Sequence, residues 1–484
     1  MRSFTIRLRT GFVAVGLLIV AATSSLIPSA HAQTGYASTT GWGTYYRLFA
    51  ADSPWNIRPV RPTLGTNQVK KPLFNPSWIP AVSDGTYSAQ VFMATAKDPS
   101  VTIYGTYGYG VADPDTGKNR DIVIPRWPAN VVPAPGSDGH ADIVDTVTGV
   151  IHSFFQLRKT NGRWTATMYS WTRVDGAGWG DPEHWSQGSR ASGTVPAGGL
   201  IRLHEVDDNA SHYQHALAMS LPGHTLANGI TKPSYIAPAT TTDSSARTNT
   251  GVIPMGARIM LPANFDTSTI RSPQLRKIAN TLKLYGAFVV DRNYDTAFAI
   301  YVENGKNFKI MPNGWDGTVV TDLERIRAGM REMVKSDGWI DGNGVTMTKQ
   351  EAPAILSMRG AWMLPASNTV GKGAFNTWDQ SIVFPYTTKK LNHVNYSTGV
   401  SKVSWAALKA GTRVRFKADT SGGATIRMQV RVNNVITLDT GYLHHGTSSM
   451  LTWPNPASGA ITVIMFADSG VNTASKARGI LKVE

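Results

Sequence analysis

The 484-residue chain contains no cysteine. That absence excludes thiol nucleophiles, thiolate metal sites, iron–sulfur clusters and disulfide staples, so stability has to come from burial. Charge runs are missing as well. The formal net charge is +15, yet no five consecutive Lys/Arg residues occur, so the charge is scattered and is not gathered into a nucleic-acid-binding arm. Beyond the N-terminus no apolar stretch reaches the length of a membrane span. The sequence also lacks a G-x-S-x-G nucleophile elbow, a phosphate loop and a dinucleotide fingerprint after a strand.

What is present begins with an export signal. Arg2, Arg7 and Arg9 precede an apolar run from Gly11 to Val20, and Ala30-His31-Ala32 offers small residues where a signal peptidase cuts. The expectation is a signal peptide over 1–32 and a mature protein that is secreted, extracellular or periplasmic, with no membrane span after cleavage. Removing the three leader arginines from +15 leaves +12. A diffuse positive field on an exported protein fits an anionic polysaccharide as partner.

The roughly 450 residues beyond the leader are enough for two or three cores. Short alternating strands dominate, so the fold class expected is mainly β. A β-sandwich or jelly-roll main domain with a few peripheral helices spans 33–365. A smaller C-terminal β-sandwich spans 366–484 and either binds carbohydrate or packs against the core. Helices are expected where apolar residues recur at helical spacing, from Ser272-Pro273 to Tyr285-Gly286, and over Thr321–Met333.

The most informative stretch is 140–220. Ile151–Arg158 alternates His152, Phe154, Gln156 and Arg158 against Ser153, Phe155 and Leu157. Asn161-Gly162 makes a tight hairpin turn. The return strand then sets Tyr169, Trp171 and Arg173 on one side. A sheet with one face in the core leaves plain polar residues outside. Here that face gathers His, Gln, Trp, Tyr and Arg, the set that stacks on and hydrogen-bonds to sugars.

Further candidates lie nearby. His140 and Asp142 share a strand face at two-residue spacing, which suits a base oriented by a carboxylate. Two ligands are too few to claim a Ca²⁺ or Zn²⁺ site, so no cofactor is expected, and a structural Ca²⁺ stays an open alternative. Read as strand residues, Glu205 and His215 fall on apolar faces of neighbouring strands, where desolvation would raise a carboxylate into the range of a general acid. They either pair as a buried couple or line a cleft. Asp291 and Tyr294, in a polar run ending at Asp295, close a buried strand and can reach a binding site; the same composition makes an ordinary turn.

The order Trp127-Pro128, Asp138-Gly139-His140, Gly199–Arg202, His215–Ala218, Pro254–Arg258 and Leu284–Asp291 resembles a broad group of exported bacterial proteins. The resemblance implies that 140–291 is one domain and brings no catalytic assignment with it. At the level of fold alone, Gln156, His152, Tyr169 and Arg158 resemble the residue set that jelly-roll polysaccharide lyases carry on a concave sheet. Three functions follow as expectations. The first is β-elimination on an acidic polysaccharide, with Arg158, Arg173 and Gln156 neutralising the carboxylate, His152 or His140 as base, Tyr169 as acid, and Trp171 stacking. The second is glycoside hydrolysis by Glu205 with Asp142 or Asp291, carboxylates that must then stand roughly 5–10 Å apart. The third is glycan binding without catalysis.

Overall fold

The computed structural model describes residues 41–72, 80–83, 85–114, 118–181, 184, 186–230, 232–294, 296–305, 308–347, 354–356, 358, 374–376, 380–395, 408–455 and 459–484. The expected leader, the expected boundary near 365 and Asp295 lie outside the described residues. The chain is mainly β, with α-helices at Pro273–Leu284 and Gly317–Gly329 among the described residues.

Two facing sheets form the sandwich. One runs in the order Val91–Ala94, Ala141–Asp145, Val150–Phe155, Met168–Arg173, Val111–Asp113, Lys118–Arg120. The other runs Arg158–Thr160, Arg163–Ala166, Val101–Gly105, Ile122–Ile124. Between them lies one core: Ile103, Ile122, Ile124, Trp127, Ile143, Phe154, Trp164, Tyr169 and Trp171 all belong to it. Burying a side chain such as Phe154 contributes roughly 1.5–3 kcal/mol.

The Asn161-Gly162 turn is where it was expected, with φ of +50° and +78°. The simple alternation of faces is not. At Gln156 the backbone turns left-handed, with φ +55°, and the chain leaves the six-stranded sheet for the four-stranded one. It steps back at Thr167. Trp164 and Tyr169 therefore face the same core from opposite sheets, although counting by twos puts them on opposite faces. The polar-aromatic face expected to meet sugar is the inner face of the sandwich.

A seven-stranded mixed sheet, which the sequence patterns did not announce, lies beside the sandwich. Its order is Thr63–Gln68, Arg331–Lys335, Arg258–Met260, Ala287–Asn293, Leu217–Pro222, Ala299–Tyr301, Ala81–Ser83. The helix Pro273–Leu284 precedes its central strand. Ser272 caps the helix by accepting from the Leu275 amide at 3.3 Å, and Leu275, Ile278, Ala279 and Leu282 are buried. The second helix starts four residues earlier than its periodicity suggested. Asp316 accepts from the Thr318 and Val319 amides, and Arg331–Lys335 is recruited as a strand instead.

The segment 41–57 is clamped onto this frame. Trp55 stacks on Trp179 with centroids 5.2 Å apart, and Asn56 Nδ2 donates to the Leu48 and Ala50 carbonyls at 2.9 and 2.8 Å. Arg258, buried with no carboxylate partner among the described residues, donates to the carbonyls of Ile57, Tyr285 and Pro54 at 3.1, 2.7 and 2.8 Å. Burial alone pulls its guanidinium down to about 9. The Ser53–Asn56 and Pro254–Arg258 motifs are thus two halves of one clamp.

Strands from Ala374 onward pair with one another in a five-stranded and a four-stranded sheet. Val414, Phe416 and Ala418 of one alternate inward, as do Ile426, Met428 and Val430 of the other.

Candidate functional site

A cleft of about 220 Å³ opens where the clamped segment 41–56 meets residues 197–215. Trp42, Tyr46 and Arg47 line it from one side; His204, Glu205, Asp208, Gln214 and His215 line it from the other. Trp42, Tyr46, Arg47 and Gln214 were not anticipated from the sequence. The signal was the aromatic-basic run Trp42–Arg47, which has no strand or helix period to draw attention to it.

The floor is built on a buried ion pair. Glu303 receives Arg202 Nε at 2.8 Å, the Leu203 amide at 3.0 Å and the Val91 amide at 3.0 Å. Arg202 also donates to the Tyr45 carbonyl at 3.1 Å, tying the two walls together. Leu203–Glu205 then forms a 3₁₀ turn where a strand was expected, closed by the Arg202 amide donating to Glu205 Oε2 at 2.9 Å. Lys277 reaches up from the helix to bind Asp208 and the Glu205 carbonyl, its ammonium 4.4 Å from the Tyr213 ring centroid.

Glu205 and His215 are brought together at 3.2 Å. His215 Nδ1 faces the Ala216 carbonyl at 2.8 Å and Nε2 faces the carboxylate, so both nitrogens must donate and the ring is an imidazolium. The two charges reinforce each other. Although burial alone would push Glu205 up, the imidazolium and the Arg202 amide hold it at about 2; the carboxylate in turn lifts His215 above its ordinary value against its own burial. The expectation of a raised, protonated Glu205 is thus corrected: its neighbour is a cation, not an apolar wall.

His204 stands out at the cleft mouth. Its Nε2 donates to the Tyr46 carbonyl at 3.1 Å, leaving the lone pair on Nδ1, and its ring meets the Tyr46 ring edge-on at 5.2 Å. Burial, with Arg202 nearby, outweighs the pull of Glu205 and lowers it below the ordinary histidine range. At neutral pH it is an uncharged base. Tyr46 is 41% exposed beside it. Arg47 lies 4.0 Å over the Trp42 ring and donates to Gln214 Oε1 at 2.7 Å, while the buried Trp42 indole N–H has no partner among the described residues.

The remaining sequence candidates sit elsewhere. His152 is 3% exposed, its Nδ1 2.9 Å from the Tyr169 hydroxyl, and desolvation brings it down to about 4. Both are sealed in the sandwich core, which corrects their expected place on an open sugar-facing sheet. Trp171 packs on the His184 ring with centroids 4.0 Å apart, and with Arg173 lines a second cavity of about 150 Å³ shared with Gln380 and Arg478. Arg173 is bound to Asp175 at 2.8 Å. Gln156 and Arg158 do not share the His152 face: Gln156 makes the sheet-switching bend, and Arg158 ties down the Gly136, Ser137 and Leu157 carbonyls.

His140 and Asp142 do converge, but inside the protein. His140 Nδ1 lies 3.0 Å from Ser189 Oγ, Ser153 Oγ donates to the same oxygen at 3.0 Å, and Asp142 accepts from the Ala197 amide at 2.7 Å. Burial lowers His140 well below its ordinary value and raises Asp142 to about 6. Asp291, also raised to about 6 by burial, is bound to Arg190 at 3.2 Å, and Tyr294 is fully in solvent. Neither Asp142 nor Asp291 lines the cleft with Glu205.

No family model matches the sequence, and no curated protein matches it. Solved structures with a limited likeness to it include two complexes from streptococci. One is a glycosylation-associated protein (Gap123) complex from Streptococcus agalactiae, at 13% identity and a TM-score of 0.18, over 23% of this chain and 39% of that one. The other holds accessory secretory proteins 1, 2 and 3 of Streptococcus pneumoniae, at 10% identity and a TM-score of 0.19, over 28% of this chain and 99% of that one. The chain thus spans well under half the length of the first. At such scores neither bears on fold or function.

Proposed function

We propose that the protein is an exported enzyme that cleaves an acidic polysaccharide by β-elimination in the Trp42–His215 cleft. The observation that carries the reading is the convergence there of an uncharged His204 with an open Nδ1 lone pair, the Tyr46 hydroxyl, and the Arg47–Gln214 pair. These are the residue types first sought on the sandwich face, now in a cleft that solvent reaches.

Each group has one task. Arg47 and Gln214 hold the uronate carboxylate, which makes the adjacent C5 proton acidic. His204 Nδ1 takes that proton; its electron pair forms the C4–C5 double bond, the C4–O bond breaks, and Tyr46 gives its proton to the leaving oxygen. The Trp42 ring under the Arg47 guanidinium holds that cation at the cleft wall. The Glu205–His215 pair and Lys277 hold the 3₁₀ turn that aims His204.

Hydrolysis by a carboxylate pair is less well supported. Glu205 is held ionised, and the two carboxyls raised to about 6 lie outside the cleft. The test is incubation with polygalacturonate, alginate and a neutral glucan. New ultraviolet absorbance from the unsaturated uronate, together with reducing ends, supports elimination. Reducing ends without absorbance would favour hydrolysis, and affinity without either product would favour a glycan-binding protein.

A further inference from the structure

We infer that Glu303 is a positioning residue for His204: through Arg202 it seats both walls of the cleft and sets the charge that the histidine faces. This role rests on the reading of the cleft as the reactive site, and it is measured on the histidine itself.

Glu303 does not line the cleft and is 2% exposed. It still touches each part of the fold that builds the cleft. Oε1 accepts from the Val91 amide, in the six-stranded sandwich sheet, at 3.0 Å. Oε2 accepts from Arg202 Nε at 2.8 Å and from the Leu203 amide, one residue before His204, at 3.0 Å. The Glu303 amide donates to the Ile201 carbonyl at 2.8 Å, and the Ile201 amide donates to the Tyr301 carbonyl at 3.1 Å. The carboxylate therefore stands on an extension of the seven-stranded sheet.

Arg202 carries the link to the opposite wall. Its Nη1 donates to the Tyr45 carbonyl, and its guanidinium lies 4.7 Å over the Tyr45 ring. The Tyr45 hydroxyl donates to the Val91 carbonyl at 3.0 Å, which closes the circuit at the residue where it began. The next carbonyl along, that of Tyr46, holds His204 Nε2. Moving Glu303 thus moves the histidine and its acceptor relative to each other.

The same pair shapes the field at the ring. Glu205 and Glu303 favour a proton on His204 and Arg202 opposes it, Arg202 more strongly than Glu303 favours it. Arg47, Asp208 and His215 line the same cleft, Asp208 bound to Lys277. Neutralising Glu303 leaves Arg202 uncompensated, so His204 should fall further; neutralising Arg202 should raise it. Damage to the fold alone does not produce opposite shifts.

The test titrates His204 by NMR in the whole protein with isotope-labelled histidine, its signal identified by its loss in His204→Ala. Wild type, Glu303→Gln, Arg202→Gln and Arg202→Lys are compared, with melting temperatures recorded alongside. His204 should titrate at lower pH than wild type in Glu303→Gln and at higher pH in Arg202→Gln. Arg202→Lys keeps the charge and gives up the Tyr45 bond, so it should titrate near the wild-type pH. Where the single glutamine variants do not fold, the Arg202→Gln/Glu303→Gln double variant leaves neither charge unmatched, and His204 should then titrate higher than in wild type. Shifts of the same sign in the two single variants, or no shift in either or in the double variant, would overturn the inference. On alginate, kcat should fall on the order of tenfold in Glu303→Gln with KM little changed, and the acidic limb of kcat/KM should follow the titration. A wild type that forms no product would dismiss elimination alone, and the titration shifts would still decide the role of Glu303.

Discussion

The sandwich core around His152 and the cleft around His204 hold nearly the same side chains and opposite chemistry. Each has a histidine, a tyrosine and a tryptophan close together. In the core, the His152 ring is closed off by Tyr169 at 2.9 Å and its Nε2 has no partner among the described residues. In the cleft, a backbone carbonyl fixes which His204 nitrogen is protonated and the other is left to face solvent. Burial lowers both rings, but only the second can meet a substrate. Residue type proposes a chemistry; what is packed against it decides whether the chemistry is available.

The sharpest way to break this contrast is to remove each base in turn. His204→Ala should cost about 10²–10⁴-fold in the elimination rate with the fold intact by circular dichroism. Initial rates on uronate polymers measure it.

Next comes the ion pair that carries the cleft turn. Glu205→Gln leaves a buried imidazolium unmatched and should destabilise the protein by roughly 3–5 kcal/mol in denaturant titrations. The pH signature has two edges. Glu205 is depressed in the folded state, so its contribution is full above its ordinary range near 4.5 and is lost as pH falls toward about 2. His215 is raised, so its contribution is full below its ordinary value near 6.5 and is lost as pH climbs through the raised one. The difference between wild-type and Glu205→Gln stability should therefore be greatest between these ranges and shrink on either side. A difference that is flat with pH would mean that the two groups do not interact.

A smaller effect sharpens the other side of the comparison. Tyr169→Phe removes the partner of a buried imidazole nitrogen and should cost about 1–3 kcal/mol of stability with no loss of elimination rate. The smallest effect is expected at Arg173, whose pair with Asp175 is partly solvated. Arg173→Ala should change stability by less than about 1 kcal/mol.

Local chemistry was the legible part of the sequence. The Asn161-Gly162 turn and the Ser272-capped helix stand where period and turn residues place them. What defeated the reading was a change of layer. Gln156 and Thr167 move the chain between sheets, and parity along a strand carries no information across such a step. The Leu203–Glu205 turn failed for a related reason. Three residues are too few to show a period, and the carboxylate of Glu303, a hundred residues away, fixes their conformation. The Glu205–His215 proximity was legible as a pair, but its polarity was not, because the carbonyl of Ala216 makes the histidine a cation. The cleft's other wall escaped notice because segment 41–56 is held by clamps, chiefly Arg258 and Asn56, and not by a repeating pattern.

The most direct measurement compares wild type, His204→Ala and Tyr169→Phe on polygalacturonate and alginate, following unsaturated product and reducing ends together. The account predicts both signals for wild type and for Tyr169→Phe at similar rates, and neither for folded His204→Ala. Undiminished product from His204→Ala, or its loss in a folded Tyr169→Phe, would contradict it and return the chemistry to the sandwich.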